Sequence, residues 1–318
     1  MRYSTLFTAG LSGALVAAAP VEKRASGPTD GKFPAHLVCT INLTNIPTAQ
    51  ILNYALTLEH LEDNFYKQGL ANFTQAQFAA AGFNTTFYKN LQTIAMDEST
   101  HVSFLTSALK TANATPVAAC NYSFGVTDVP SFVATASILE GVGVSAYLGA
   151  AADIMNKAYL TAAGSILTVE SRHSSYIRAS LMESPFPQPF DDPLDYDEVY
   201  SLAAQFITAC PASNPALPVK AFPPLMATSK DMPIKTNSTF TLTSPKVKIV
   251  KQSPDQTVYA AFITVTGPIF VVAKEVQGGF EVMVPAGVNG QSYVVLTGCN
   301  QNVTDDTIVA GPAILEVC

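Results

Sequence analysis

The chain carries four histidines, His36, His60, His101 and His173, and two of them stand three residues after a glutamate, in Glu98-Ser-Thr-His101 and Glu170-Ser-Arg-His173. On a helix, positions i and i+3 share a face, so each glutamate and its histidine can reach one point. Two further glutamates interrupt apolar runs: Glu59 in Ala55-Leu-Thr-Leu-Glu59, and Glu140 in Ser137-Ile-Leu-Glu140-Gly-Val-Gly-Val. The order along the chain is therefore Glu, Glu-x-x-His, Glu, Glu-x-x-His. Four buried carboxylates cost many kcal/mol unless something neutralises them. A pair of metal ions does so, each ion taking one Glu and one His, with two glutamates left to bridge. Oxygen donors with imidazole suit iron or manganese, whereas structural zinc favours thiolates. Two iron ions, with manganese as the variant, are the expected cofactor.

Neighbouring residues have weaker claims. Glu62, three residues after Glu59, could take its place as ligand. His60 lies about 100° round the helix from Glu59 and is read as non-ligating. Asp63 is expected at a solvated edge, with a hydrogen bond behind the ligands as the alternative. Tyr66 and Tyr147 each follow a glutamate of the set by seven residues. Aromatics at that spacing either pack the core or touch the ligands, and Tyr66 has the stronger claim to contact. Asp191, Asp192, Asp195, Asp197 and Glu198 are expected as a solvated loop and helix start. Their spacing is not that of an EF-hand, so no calcium is assigned there.

The positioning elements are helices. From about Ile46 to Ala209 apolar residues recur every three or four positions, as in Ile51, Leu52, Ala55, Leu58, Leu61 and Phe65. Four long segments are expected: one from about Ile51, then Phe87–Leu109, Phe132–Tyr159 and Ala162–Met182. A fifth is expected over Asp195–Cys210. The expected architecture is a four-helix bundle over residues 25–210. A Pro-rich linker follows over 211–224. Residues 225–318 are expected to form a β-sandwich-like domain, with short β-branched runs at Thr239–Thr243, Lys246–Lys251, Val258–Val265, Ile269–Val276, Phe280–Val284, Tyr293–Thr297 and Ile314–Val317. No histidine occurs after Leu217, and no catalytic residue is expected in this region.

Composition narrows the function. Of 318 residues, 48% are hydrophobic and 13% charged, which excludes disorder over most of the length. A net charge of −7 gives nucleic acid no basic surface to meet. The longest apolar stretch, Phe132–Met155, contains Glu140 and Asp153, so a packed helix is expected there and no membrane span. Met1-Arg2, the apolar run Leu6–Ala19 and the small residues Ala17–Ala19 form a secretory signal peptide pattern. With the dibasic pair Lys23-Arg24, residues 1–24 read as a processed leader. Seven sequons, at Asn42, Asn72, Asn84, Asn113, Asn121, Asn237 and Asn302, agree with secretion and glycosylation. No hydrophobic tail ends the sequence, so no lipid anchor is expected. Five cysteines in an oxidising compartment favour disulfides. Cys120 follows the second helix and Cys210 ends the helical region, so they are paired. Cys299 and Cys318 are paired across a short loop, leaving Cys39 as the odd thiol.

Residues 46–182 resemble the ferritin-like superfamily, which includes bacterioferritins and rubrerythrins. The strings Tyr54-Ala-Leu-Thr-Leu-Glu59-His-Leu-Glu62-Asp-Asn-Phe-Tyr66 and Met96-Asp-Glu98-Ser-Thr-His101 are similar to its secreted fungal branch of late-sexual-development, stress-response and desiccation-related proteins. The Cys-Pro-x-x-Asn-Pro-x-Leu-Pro segment at Cys210–Pro218 and the β-rich tail are similar to that branch too. The resemblance implies Glu59, Glu98, His101, Glu140, Glu170 and His173 as ligands of a di-iron or di-manganese centre. It also places Tyr66 near the metals. The activity it implies is that of an oxidase or peroxide-consuming protein in stress or development, with O₂ or peroxide as partner. The alternative is a secreted or cell-wall protein whose bundle only sequesters metal or serves structurally.

Overall fold

The computed structural model describes residues 30–33, 46–230, 233–251 and 253–318. The leader, His36, Cys39 and Asn42 lie outside the described residues.

Helix α1 (Thr48–Asn72) is followed by the short α2 (Gln75–Ala80), which sequence periodicity missed. Thr74 starts α2 with a capping box: its hydroxyl accepts from the Gln77 N–H, and the Gln77 side chain accepts from the Thr74 N–H. Helix α3 (Thr85–Thr111) begins where Asn84 accepts from the Phe87 N–H at 2.9 Å. Asp128 and Ser131 form the same device before α4 (Val129–Ala150). A single 3₁₀ turn, Ala151–Asp153, separates α4 from α5 (Lys157–Ser180), so the expected third helix stops earlier and the fourth starts earlier than the apolar pattern suggested. The 3₁₀ turn and the Asn156 cap, which accepts from the Ala158 and Tyr159 N–H groups, mark the break.

The long helices pair as α1 with α3 and α4 with α5, and α4 also packs on α1. Helix α4 has buried residues all round, among them Phe132, Val133, Ala136, Leu139, Val142 and Ala146. It is the one stretch among the described residues long and apolar enough to cross a membrane. Of its most apolar 18 residues, 67% are buried against its neighbours, as in a core helix.

The expected fifth helix is only half present. Helix α6 spans Tyr196–Ala203, and the chain then becomes a strand. That strand, β2 (Ile207–Ala209), pairs antiparallel with β1 (Asn121–Tyr122) beside the Cys120–Cys210 disulfide. The bridge expected between those two cysteines is present.

The Pro-rich segment is fastened to α6 and to the loop before β1. The Lys220 N–H donates to Asp197 Oδ1 at 2.9 Å and the Phe222 N–H to Ser201 Oγ at 2.7 Å. The Asn214 amide bonds both the N–H and the carbonyl of Ala118. This packing corrects the expectation of a solvated acidic loop. Asp191 is exposed, but Asp192, Asp197 and Glu198 are buried, and Asp195 and Glu198 form the capping box of α6. Burial pushes the Asp195 and Glu198 carboxyls up to about 7.

The C-terminal region is two antiparallel four-stranded sheets. One comprises β3 (Met226–Thr228), β4 (Thr239–Thr243), β8 (Gly279–Met283) and β7 (Lys274–Val276), in the order β3-β4-β8-β7. The other comprises β10 (Ile308–Val317), β9 (Gly290–Thr297), β5 (Tyr259–Phe262) and β6 (Ile269–Val272), in the order β10-β9-β5-β6. Phe240, Leu242, Phe280 and Val282 of the first sheet pack on Ala260, Phe262, Val294, Leu296 and Leu315 of the second. The run expected as one strand over Ile269–Val276 divides at buried Ala273 into β6 and β7, one in each sheet. Lys246–Lys251 forms no strand, and only Val250 makes an isolated bridge, to Lys32.

The expected Cys299–Cys318 bridge is absent. Cys299 is disulfide-bonded, whereas Cys318 is a free, exposed thiol. The reason is register: Ile308 pairs with Thr297 and Val317 with Gly290. Cys299 and Cys318 therefore sit at opposite ends of an eight-residue strand, roughly 25 Å apart.

The two regions are locked together. The Arg178 guanidinium on α5 donates to both oxygens of Glu316 on β10, at 2.8 and 2.6 Å. The Tyr293 hydroxyl on β9 donates to the Gly141 carbonyl of α4 at 2.9 Å.

Candidate metal centre

Four helices send carboxylates to one place. Helix α1 contributes Glu59, α3 Glu98 and His101, α4 Glu140, and α5 Glu170 and His173. All four glutamates are fully buried. The helical spacing puts Glu98 with His101, and Glu170 with His173, on the inward faces of α3 and α5.

The donor atoms form two overlapping groups, each with its atoms within 4.8 Å of one another: Glu59, Glu98, His101 and Glu170, then Glu98, Glu140, Glu170 and His173. Glu98 and Glu170 belong to both. They stand where bridging ligands would, while Glu59 with His101 and Glu140 with His173 stand as the outer pairs. His101 Nδ1 is 3.2 Å from Glu59 Oε2, 3.2 Å from Glu98 Oε2 and 3.3 Å from Glu170 Oε1. His173 Nδ1 is 3.0 Å from Glu98 Oε1 and 3.3 Å from Glu140 Oε2. Two ligands at right angles, each about 2.1 Å from one ion, are about 3 Å apart. Buried Glu98 Oε1, Glu140 Oε2, both oxygens of Glu170 and His173 Nδ1 crowd together or against His101 without a well-directed hydrogen bond. Orphaned buried acceptors are costly, and a cation among them removes that cost. The donor set fits a pair of metal ions.

Two tyrosines support this set by crossing between helices. Tyr66, on α1, donates to Glu140 of α4, and Tyr147, on α4, donates to Glu59 of α1. Tyr66 thus contacts a glutamate of the set, as the sequence suggested, but the opposite one from that seven residues before it. Tyr147 does the same, against its weaker expectation. Asp97 was not singled out from sequence. Its Oδ2 lies 3.2 Å from His173 Nε2, on the far side of the ring from the carboxylates, where it fixes the imidazole's orientation. Sequence gives no hint of this contact, because Asp97 and His173 lie on different helices.

Asp63 is not on a solvated edge. It is buried, and it accepts from Ser99 Oγ at 2.5 Å and from Lys67 Nζ at 2.7 Å, tying α1 to α3. His60 points away, with Nε2 3.1 Å from the Val117 carbonyl. Glu62 belongs to neither donor group, yet it is buried beside them. A Cβ on Gly143 would lie 2.9 Å from Glu62 Oε1 and 3.0 Å from Glu170 Oε2, so the absent side chain makes room for both carboxylates.

Burial and the close approach of like and unlike charges set the titration of the cluster. Burial would lower both imidazoles, but the adjoining Glu170, Glu59 and Glu98 carboxylates raise His101 to about 12, and those of Glu140 and Glu98 raise His173 to about 11. Burial raises Glu59 to about 7. Burial, with the neighbouring carboxylates, holds Glu62 and Glu170 well above the ordinary carboxyl range, and burial also raises Glu140. Within the cluster Glu98 is lowered: burial would raise it, but the two adjoining imidazoles outweigh that.

Residues 48–183 match the ferritin-like domain family. The helical region is a ferritin-like domain. The chain is 30% identical to Protein rds1 of Schizosaccharomyces pombe over 190 residues, which are 60% of this chain and 46% of that protein. It therefore spans about half the length of this fungal relative. A solved structure of ferritin-like, diiron-carboxylate proteins from Bacillus anthracis str. Ames aligns over 42% of this chain and 94% of its own, at 17% identity and a TM-score of 0.37. That likeness is too distant to bear on function.

The sequons mostly lie at the surface. Asn72, Asn84, Asn113, Asn121 and Asn237 are exposed, and Asn302 is half-buried.

Proposed function

We propose that the bundle of this protein holds two iron ions, or two manganese ions, and uses them to oxidise a substrate with O₂ or peroxide. The observation that carries this is the convergence of four buried glutamates and two histidines from four helices, with two of the glutamates shared between two donor groups. When bound, a redox-active pair of ions supplies electrons to oxygen or peroxide. The chain's own residues do the rest. Glu98 and Glu170 hold the two positions together, and Glu59 with His101 and Glu140 with His173 close the ends. Tyr66 and Tyr147 steer the outer carboxylates through their hydroxyls. Asp97 orients the His173 ring. Apolar side chains on α1 and α4 keep bulk water away.

The leader, the sequons and the disulfides support work outside the cytoplasm, at the cell wall or in the medium. A role in stress or development is what the resemblance of the Glu59 and Glu98 strings to the secreted fungal branch implies, and neither place nor role is needed for the chemistry.

The test is direct. The full chain is purified from a secreting host, its metal is measured by mass spectrometry, and Fe(II) oxidation is followed with O₂ and with H₂O₂. About two metal ions per chain with turnover supports an oxidase. Two ions without turnover supports sequestration, and no metal uptake overturns both readings.

A further inference from the structure

A cavity of about 270 Å³ lies between the bundle and the β region. Leu61, Val142 and Phe206 wall it on the bundle side, and Leu225, Pro312 and Ile314 on the other. One carboxyl reaches its inner wall, that of Glu62. Glu62 is 4% exposed, and no described residue hydrogen-bonds it. The same carboxyl shares the space over Gly143 with Glu170, so it stands between the cavity and the carboxylate cluster.

We infer that this cavity binds a small, mainly apolar molecule bearing a hydroxyl group, an alkanol or a phenol, with Glu62 holding the hydroxyl toward the metal centre. The inference rests on the proposed oxidase reading only for calling that molecule a substrate; the binding itself needs no metal.

Three considerations select this occupant. Size comes first. An engineered apolar cavity of about 150 Å³ holds benzene, so this one takes a molecule of about a dozen non-hydrogen atoms. A second cavity beside the centre, against Tyr147 and Ile166, is about 30 Å³, room for a single water. Polarity comes second. Ordered waters need two to four polar partners each, and Glu62 and Gln205 are too few to fill the cavity with them. A charged ligand would lose its hydration against apolar walls, whereas one hydroxyl meets one carboxyl. Place comes third. A hydroxyl bonded to Glu62 lies next to Glu170, one of the two carboxylates common to both donor groups. On this reading the β region supplies half of the pocket wall without supplying a reacting group.

The test uses the full chain, metal-free and metal-loaded, with phenol, hexan-1-ol and toluene as probes. The chain has no tryptophan, so Met226→Trp, at an exposed position on the cavity rim, gives a single fluorescent reporter. Phenol and hexan-1-ol should change its emission saturably and raise the thermal midpoint of the unlabelled chain. Glu62→Leu should weaken phenol binding at least tenfold and leave toluene binding within twofold. Ala227→Trp should fill the cavity and abolish both. Should Glu62→Leu fail to fold, Glu62→Met in the reporter chain serves, with phenol weakened and toluene unchanged. No saturable phenol binding, or phenol binding indifferent to both Glu62 and Ala227, overturns the inference. Phenol binding without metal uptake sinks the oxidase reading and leaves this one standing; metal uptake without phenol binding does the reverse.

Discussion

The two hydrophobic cores of this chain are built on opposite principles. The sandwich core is apolar throughout, with Phe240, Leu242, Phe262, Val294 and Leu296 meeting across the two sheets. Its stabilisation comes from area removed from water, and it needs nothing from outside. The bundle core encloses Glu59, Glu62, Glu98, Glu140 and Glu170 with the imidazoles of His101 and His173 among them. Burying that many carboxylates costs stability unless cations neutralise them. The apolar core and the candidate metal site are thus housed separately in this protein. A region that folds without help can be joined to one that gives up part of its stability for a site.

Removing the shared carboxylates should have the largest effect. Glu98→Gln with Glu170→Gln should take metal uptake from about two ions per chain to none by elemental analysis, with the sandwich intact. Unchanged uptake would mean that the metals, if any, sit elsewhere. A core truncation in the other region gives the converse. Phe240→Ala should cost about 3–5 kcal/mol in denaturant unfolding, with metal stoichiometry of the folded fraction unchanged. A loss of metal there would show that the two cores are coupled. Single hydroxyls around the centre come next. Tyr66→Phe or Tyr147→Phe frees a buried carboxylate oxygen and should weaken metal binding about 10–100-fold in competition titrations. Equal affinities for variant and wild type would reduce both hydroxyls to packing.

The smallest effect is on pH. Glu59, Asp195 and Glu198 are raised to about 7 in the fold. Between about pH 4 and pH 7 the native chain holds protons that the unfolded chain has released, so stability falls as pH rises through that window. His101 and His173, raised to about 12 and 11, act in the same direction: their contribution is full below about pH 6.5 and is lost as pH rises toward those values. The metal-free chain should therefore melt a few degrees lower at pH 8 than at pH 5. Metal displaces those protons, so the gap between metal-loaded and metal-free midpoints should widen with pH. A metal-free midpoint that rises over this range would contradict the assigned charge states.

Much of this was legible in the sequence because helices convert spacing into facing. The pairs Glu98/His101 and Glu170/His173 could be read as shared faces, and their order with Glu59 and Glu140 implied a common interior. What crosses between elements was not legible. Asp97 meets His173 only through the bundle, and the two tyrosines reach the opposite glutamate rather than their own. The acids around α6 looked solvated because sequence does not reveal that the linker folds back over them. The proximity of Cys299 and Cys318 in sequence misled for a related reason: an antiparallel hairpin places residues by register, and these two lie at its opposite ends.

The crossed tyrosines show that α1 and α4 are counterparts, each with a glutamate followed at seven residues by the tyrosine that serves the other helix. On that correspondence the three positions on α1 are Glu59, Glu62 and Tyr66, and on α4 they are Glu140, Gly143 and Tyr147. The match fails only at the middle position, where one helix has a carboxyl and the other has nothing beyond its backbone. The extra carboxyl leans into the vacancy its counterpart leaves. A nearly two-fold object has thereby acquired a handed approach, and the two ends of its centre need not behave alike. An incoming molecule that reaches it by the interdomain cavity meets one face only.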